Sequence, residues 1–189
     1  KGIKQAEEEF SPLRLSVTVK MLTTLEPAEL VNILTNMSED GYAGIALLPI
    51  DDDQVKRKIN QLAEQGIRII TFNSKIEGIR ELCFLGQDHV KGGETAAGLM
   101  GRLLPEGGDV GIIISSNNLS CHQCRLKGFQ KKLSLRYPNL NIVEIRENQD
   151  RKEEAFKTTL EYCNRYPNLK GIYITGGGIK GVGNALELT

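Results

Sequence analysis

The sequence predicts an α/β fold in which mostly parallel strands are covered by helices on both faces. Short β-like runs alternate with segments of helical periodicity along the 189 residues, which is the pattern of repeated βαβ units. The turn sequence Arg-Tyr-Pro-Asn-Leu occurs at residues 136–140 and again at residues 165–169. Each copy ends a helix before a strand, because proline stops the helix. The two copies therefore indicate one recurring kind of turn in a βα architecture.

Taken in chain order, the β-like runs predict these strands: Leu13–Val19, Gly44–Leu48, Ile67–Phe72, Glu81–Leu85, Val110–Ile114, Asn141–Ile145 and Gly171–Ile174. The periodic segments between them predict these helices: Gly2–Phe10, Pro27–Asp40, Asp51–Gln65, His89–Leu104, Leu119–Arg136, Arg151–Arg165 and Gly178–Leu188. Helix signals agree with these bounds. Acidic residues at 51–53 suit a helix N-terminus, and Gly66 is a typical stop after the same helix.

The connection from Asn73 to Arg80 lacks a helix, although it joins two predicted strands. A parallel crossover needs about a dozen residues or more. We therefore expect the strand Glu81–Leu85 either to pair antiparallel with its predecessor or to enter another sheet. Such a connection is typical of a chain that passes between two α/β lobes, and it predicts a first lobe at 1–86 and a second at 87–189. Both ends of the chain fall inside predicted helices, so we expect both lobes to be truncated.

Composition excludes several classes of protein. The formal net charge is zero and neither half of the chain is strongly basic, so a nucleic-acid surface is not expected here. The chain has no long apolar run and no export signal, which predicts that it neither spans a membrane nor directs secretion. The cysteines at 83, 121, 124 and 163 suit reduced thiols in the cytoplasm, although an even count also permits two disulfides.

The segment Val110–Phe129 predicts a binding site for a polar small molecule. A buried strand ends there in a polar loop at 115–118, and a helix follows. Ligands of open α/β sheets bind beyond the carboxyl ends of the strands. His122 and Arg125 are three residues apart and share one helix face, where a guanidinium can bind hydroxyls or a carboxylate. The alternative is an ordinary solvated arginine on a surface helix.

Three further motifs admit a chemical and a structural interpretation. Cys121 and Cys124 form a Cys-x-x-Cys at a helix start, as in thiol oxidoreductases, but the loop just before them contains no aromatic residue of the kind that usually flanks such motifs. Residues 176–181 match Gly-x-Gly-x-x-Gly, a motif that can bind the phosphates of a dinucleotide. They follow a late strand, however, and better suit a tight strand-to-helix turn. Residues 51–53 suit dipole complementarity better than a metal site. We expect no cofactor, no metal and no catalysis.

Several motifs carry a family resemblance. Residues 84–97, Phe-Leu-Gly-Gln-Asp-His-Val-Lys-Gly-Gly-Glu-Thr-Ala-Ala, resemble the crossover of type I periplasmic-binding-protein folds. Residues 125–129 resemble the Arg-x-x-Gly-Phe helix of the same group. Residues 171–178, Gly-Ile-Tyr-Ile-Thr-Gly-Gly-Gly, with Gly181-Val182 and Ala185-Leu186, resemble a late strand-turn-helix of the lactose/galactose-repressor (LacI/GalR) family. The resemblance extends over essentially the whole chain in order.

The resemblance implies two Rossmann-like lobes with parallel sheets flanked by helices, joined by three crossovers and closing on a sugar or related polar metabolite. It implies that the first strand of the first lobe and the last crossover lie outside this chain. The ligand-binding residues that we expect are Asn73, Ser74, Asp88, His122, Arg125, Thr175, Gly176 and Gly177. Gly176 and Gly177 occupy the usual place of Asn-Asp, and His89 that of an asparagine.

Within that family the resemblance favours a cytoplasmic transcriptional regulator. Ligand-driven closure would control a homodimer that binds DNA through an N-terminal helix-turn-helix outside this chain. The alternative is an extracytoplasmic sugar-binding protein of an importer, with the same cleft and no DNA contact. An alternative of another class is an enzyme, either a thiol oxidoreductase acting through Cys121 and Cys124 or a nucleotide-using α/β protein.

Overall fold

The computed structural model describes residues 2–189 and contains two three-stranded parallel sheets. The helices are α1 (Gly2–Glu9), α2 (Pro27–Glu39), α3 (Asp53–Glu64), α4 (His89–Leu103), α5 (Ser120–Arg136), α6 (Lys152–Arg165) and α7 (Ile179–Leu186). The strands are β1 (Gly44–Leu47), β2 (Arg68–Phe72), β3 (Cys83–Leu85), β4 (Gly108–Ile114), β5 (Leu140–Glu147) and β6 (Leu169–Ile174). This architecture confirms the predicted α/β fold class.

The first sheet has the order β1-β2-β3 and packs against α2 and α3. Alternate residues of β1, Ile45 and Leu47, are buried together with Ile69 of β2. They meet the apolar stripe of α3, where Val55 and Ile59 are fully buried. Asp52 caps that helix, because its carboxylate accepts hydrogen bonds from the backbone N–H groups of residues 54 and 55. The cap places the start of α3 slightly later than the sequence predicts.

The expectation that Glu81–Leu85 would pair antiparallel or leave the sheet is wrong. Strand β3 pairs in parallel with β2, with Ile70 opposite Cys83. β3 has three residues, so the return path is only about 10 Å and an ordered loop replaces the crossover helix. Asn60 of α3 holds this loop by donating to the carbonyl of Gly78 at 2.9 Å and accepting from the N–H of Arg80 at 2.7 Å.

The predicted strand Leu13–Val19 is also wrong. The structure has a 3-10 turn at Ser11–Leu13, and the residues that follow form no regular element before α2. Leu15 and Val19 are 44% and 55% exposed. A strand needs the backbone groups of a neighbour, and among residues 2–189 β1 pairs only with β2. The apolar residues here therefore have no sheet to join.

The second sheet has the order β5-β4-β6, and the central strand β4 is buried on both faces. Ile112 packs towards α4 and α5, whereas Ile113 packs towards α6 and α7. Tyr162 of α6 is fully buried, and its hydroxyl donates to the carbonyl of Ile112 at 3.0 Å. Helices therefore cover both faces, which leaves the carboxyl edge of the strands for a site.

Helix α5 links the cores of the two sheets. Leu119 and Cys121, at its start, belong to the same buried cluster as Ile50 and Ile76 of the first sheet's core. Farther along, Phe129 belongs to the core of the second sheet. The first turn of α5 is therefore the point at which the two sheets meet.

Candidate ligand-binding site

Polar residues follow every strand of the second sheet at its carboxyl edge. Ser115 comes directly after β4, Asn148 directly after β5 and Thr175 directly after β6, and all three are buried. Backbone hydrogen bonds extend the sheet to this point, because the N–H groups of Asn148 and Thr175 donate to carbonyls of β4. The Ser115 hydroxyl is buried without a hydrogen-bond partner among residues 2–189. This edge therefore holds an unsatisfied polar group, which is uncommon in a folded interior.

The first turns of α5 bring three predicted site residues together. His122 Nδ1 lies 2.8 Å from the Thr175 hydroxyl, and Arg125 Nη1 donates to the Thr175 carbonyl at 3.0 Å. His122 is only 5% exposed. Burial lowers its pKa to about 4, an effect that Asp150 partly opposes and Arg125 reinforces. The imidazole is therefore neutral near pH 7 and can act as donor or acceptor.

Neighbouring side chains lie so close to the glycines after β6 that a larger residue would not fit at these positions. A methyl group at Gly176 would lie 2.6 Å from His122 Cε1 and 2.7 Å from Asp150 Oδ1. The N–H of Gly177 donates to Asp150 Oδ1 at 2.5 Å, and Asn148 Nδ2 donates to the Gly177 carbonyl at 2.8 Å. The glycines form the tight turn that the sequence predicts. The turn requires glycine at position 178, because Gly178 has a φ of +94°, a backbone conformation that other residues rarely adopt.

Sequence reasoning missed Asn148 and Asp150. The predicted strand ended at Ile145, whereas β5 continues to Glu147, so the polar residues after the strand were assigned to a loop without a role. The available signal was their position, because a polar pair directly after a strand marks the same edge as the polar loop at 115–118.

Asn73 and Ser74 lie at the junction between the two sheets. Ser74 Oγ accepts from the N–H of Cys121 at 3.1 Å, and Asn73 Nδ2 lies 3.7 Å from Cys121 Sγ. His89 Nε2 lies 2.5 Å from the Asn73 carbonyl, so this nitrogen carries the proton. Asn73 has a φ of +61°, which an asparagine tolerates better than most residues. These two residues therefore fasten the first sheet to the starts of α4 and α5.

Asp88 has a local role in the structure. Its carboxylate caps α4 by accepting from the N–H of Lys91 at 3.0 Å, and it forms an exposed ion pair with Lys91 Nζ at 3.5 Å. The hydrogen bond from that N–H is the main reason that the pKa of Asp88 is lowered. None of its hydrogen bonds within residues 2–189 involves another predicted site residue.

The cysteines are all free thiols in the structure. Cys121 is buried at the sheet junction, Cys124 and Cys163 are half-buried, and Cys83 is exposed. Within the described residues, no group of three or more His, Cys, Asp or Glu side chains is placed to hold a metal ion. No helix among these residues is long and apolar enough to cross a membrane.

A family model described as a periplasmic binding protein domain matches residues 1–189. The chain belongs to the periplasmic binding protein family. This membership agrees with the resemblance to type I periplasmic-binding-protein folds. It does not extend to the lactose/galactose repressors specifically. A comparison with curated proteins found no match.

Several solved structures are similar to this chain over nearly its whole length. The molecule XylFII has a TM-score of 0.87 at 24% identity, covering 97% of this chain and 66% of its own. The sugar-binding protein of a sugar ABC transporter from Bacillus halodurans has a TM-score of 0.82 at 28% identity, covering 98% and 64%. AraP, an arabinose-binding protein from Geobacillus stearothermophilus, has a TM-score of 0.75 at 29% identity, covering 98% and 64%.

The present chain spans slightly less than two thirds of the length of these structures. Two of the three are described as sugar-binding proteins. The fold and the family are therefore established, and the ligand and the biological role follow as proposals.

Proposed function

We propose that this periplasmic binding protein domain binds a sugar or a closely related polyol at the junction of its two sheets. The observation that carries the proposal is the convergence of polar groups from both sheets on the first turns of α5. Asn73 and Ser74 approach from the first sheet, and Thr175 with Gly176 from the second. Donors and acceptors that converge on one edge suit a ligand with many hydroxyl groups.

The chemistry of the junction supports a ligand that bridges the sheets. His122 is neutral and Arg125 offers several N–H groups, of which Nη1 is engaged with Thr175. A ligand that contacted Arg125 and the Asn73-Ser74 turn at once would favour the conformation in which both are close. Differential contacts of this kind shift an equilibrium between open and closed forms. Asp88 would act indirectly, through the start of α4.

The role that we favour is that of an extracytoplasmic sugar-binding protein serving an importer. The similarity to the Bacillus halodurans sugar-binding protein and to AraP supports it, at 28% and 29% identity. This role requires that the domain close on a sugar, as proposed above, and requires no contact with DNA.

A second role is supported by the thiols. All four cysteines are free, and proteins outside the cytoplasm more often carry paired cysteines. This observation favours a cytoplasmic transcriptional regulator, in which closure would be transmitted to a homodimer and to DNA through a separate helix-turn-helix. The same sugar site would serve both roles.

The experiment for the site is a thermal-shift screen with pentoses, hexoses and polyols, followed by calorimetric titration of each hit. A ligand that binds only the folded state must raise the melting temperature. We expect a sugar to stabilise the parent and Arg136→Ala, an exposed change at the far end of α5, but not Arg125→Ala. A screen without any stabilising sugar would contradict the proposed function.

The experiment for the role labels Cys83 in intact cells with a membrane-impermeant maleimide. Cys83 is the exposed thiol, and Cys83→Ser provides the control for labelling elsewhere. Labelling before lysis supports the importer protein. Labelling only after lysis supports the regulator.

A further inference from the structure

Asp150 lies against the glycine turn that leads into α7. The Gly176-Gly177-Gly178 turn leads into α7, and backbone N–H groups at such a turn attract negative charge. Here the N–H of Gly177 already donates to Asp150 Oδ1 at 2.5 Å. A methyl group at Gly177 would lie 2.8 Å from the same oxygen. The protein's own carboxylate therefore fills a place that a phosphate group would otherwise take.

The loop that carries Asp150 has an unusual backbone conformation that side-chain hydrogen bonds hold in place. Gln149 and Asp150 have φ angles of +52° and +56°, a region that costs free energy for residues other than glycine. The buried Asn148 maintains this turn, because its Oδ1 accepts from the N–H of Asp150 at 3.2 Å while its Nδ2 donates to the Gly177 carbonyl. The carboxylate is therefore positioned by the fold and not by chance rotation of an exposed side chain.

One oxygen of this carboxylate is left for a ligand. Asp150 is exposed, and Oδ2 accepts no hydrogen bond from residues 2–189. Independently, the buried hydroxyl of Ser115 lacks a partner at the same edge, and Ser115 Cβ lies 3.0 Å from the place of a Gly176 Cβ. A free carboxylate oxygen accepts hydrogen bonds from hydroxyl groups strongly. The free carboxylate oxygen favours a partner that donates hydrogen bonds, and the unpartnered Ser115 hydroxyl is a second unsatisfied polar group at the same edge.

The charges around Asp150 are mixed. His122 is neutral, and Arg125 keeps its positive charge although its Nη1 is bound to the Thr175 carbonyl. Glu147, at the end of β5, adds a further exposed carboxylate, bonded to the Gln149 amide and the Asn117 amide. A phosphate group would reach the N–H of Gly177 only by displacing Asp150, so the Asp150 carboxylate itself, and not the local net charge, disfavours an anion.

We infer that Asp150 is a specificity-determining residue that accepts hydrogen bonds from ligand hydroxyls and excludes phosphorylated or otherwise anionic ligands. The inference rests on the proposed function, because it concerns the same site. It extends that function by naming a residue, an oxygen atom and the class of ligand that the residue rejects.

The test compares the parent with Asp150→Asn and a matched control, Glu153→Gln. Asparagine tolerates a positive φ and retains an oxygen for the N–H of Gly177, so the fold should survive, and the melting temperature checks this. Glu153 is exposed in the first turn of α6, and its substitution also removes one negative charge. Each protein is titrated calorimetrically with the sugar that stabilises the parent, with the matching sugar phosphate and with inorganic phosphate.

We expect the parent and Glu153→Gln to bind the sugar and neither phosphate compound. In Asp150→Asn the sugar affinity should fall about ten-fold or more, since a hydrogen bond to a charged group is lost, and the sugar phosphate or inorganic phosphate should gain measurable binding. The inference would be overturned, and the proposed function left intact, by the following result. The parent binds the sugar, and a folded Asp150→Asn binds the sugar with the same affinity and still binds neither phosphate compound. Absence of sugar binding in the parent would overturn both.

Discussion

Gly93 of α4 and Gly128 of α5 each lie against the backbone of the opposite helix where the two helices cross over the second sheet. A methyl group at Gly93 would lie 2.0 Å from the carbonyl oxygen of Arg125, and one at Gly128 would lie 2.0 Å from that of Val90. The backbones touch directly at this crossing. Because a side chain at either position would push the helices apart, the placement of His122 and Arg125 next to Thr175 depends on glycine at 93 and 128.

The first prediction concerns this crossing. Gly128→Ala should lower the free energy of unfolding by at least about 2 kcal/mol, because the obstacle is backbone and the helices must separate. Chemical denaturation measured by circular dichroism checks it. Gly92→Ala is the matched control on α4, because nothing lies within 4 Å of that position. It should stabilise the protein by about 0.5–1 kcal/mol through helix propensity; equal effects of both changes would contradict the contact.

The second prediction concerns the junction of Ser74 and Cys121. Ser74→Ala removes the acceptor for the buried N–H of Cys121, so the start of α5 should open more often, with a loss of about 1–3 kcal/mol. The rate of Cys121 modification by a thiol reagent, read by mass spectrometry, should rise several-fold. Modification of the exposed Cys83 is the internal reference. A Cys121 rate unchanged relative to Cys83 would argue against this fastening.

The third prediction is a loss of stability in acid that depends on His122. Its folded pKa of about 4 lies below its ordinary value of 6.5 because of burial. Between these values the unfolded chain binds the proton more readily, so the His122 contribution is intact above pH 6.5 and is lost as pH falls towards 4. At pH 5 the free energy of unfolding should be lower than above pH 6.5 by on the order of 2 kcal/mol because of His122.

Urea midpoints at pH 7.5 and pH 5 for the parent and His122→Gln check this prediction. The glutamine variant is less stable at neutral pH if it loses the contact with Thr175, but its stability should depend less on pH. Identical pH dependence in the two proteins would show that His122 is not the titrating group.

Much of the fold was predictable because its signals are local. Helix periodicity, caps and prolines predicted the helices from α2 to α7 within a few residues, and the apolar run Val110–Ile114 predicted the central strand. His122, Arg125 and Thr175 were expected at one site, and the structure brings them into direct contact. Thr175 lies directly after β6, and His122 and Arg125 lie in the first two turns of the helix that follows β4.

The predictions that were wrong or missing concern contacts between residues that are distant in sequence. The residues at 13–19 have an appropriate composition for a strand, but no neighbouring strand pairs with them among residues 2–189. The parallel pairing of β3 depends on Asn60 holding a loop eighteen residues farther along the chain. Asp150 is positioned by Gly177, 27 residues away. Sequence patterns report propensity and burial, whereas these outcomes depend on which backbone group meets which side chain.

The first turn of α5, buried in the core of the first sheet while its later turns pack on the second, couples the unfolding of the two halves. Loss of either core exposes apolar surface of the same helix, so neither half can melt without a cost to the other. We therefore expect one cooperative transition in which probes on the two sheets report the same midpoint. Hydrogen exchange should protect the amide groups of α5 longer than those of α1, which has no buried residue.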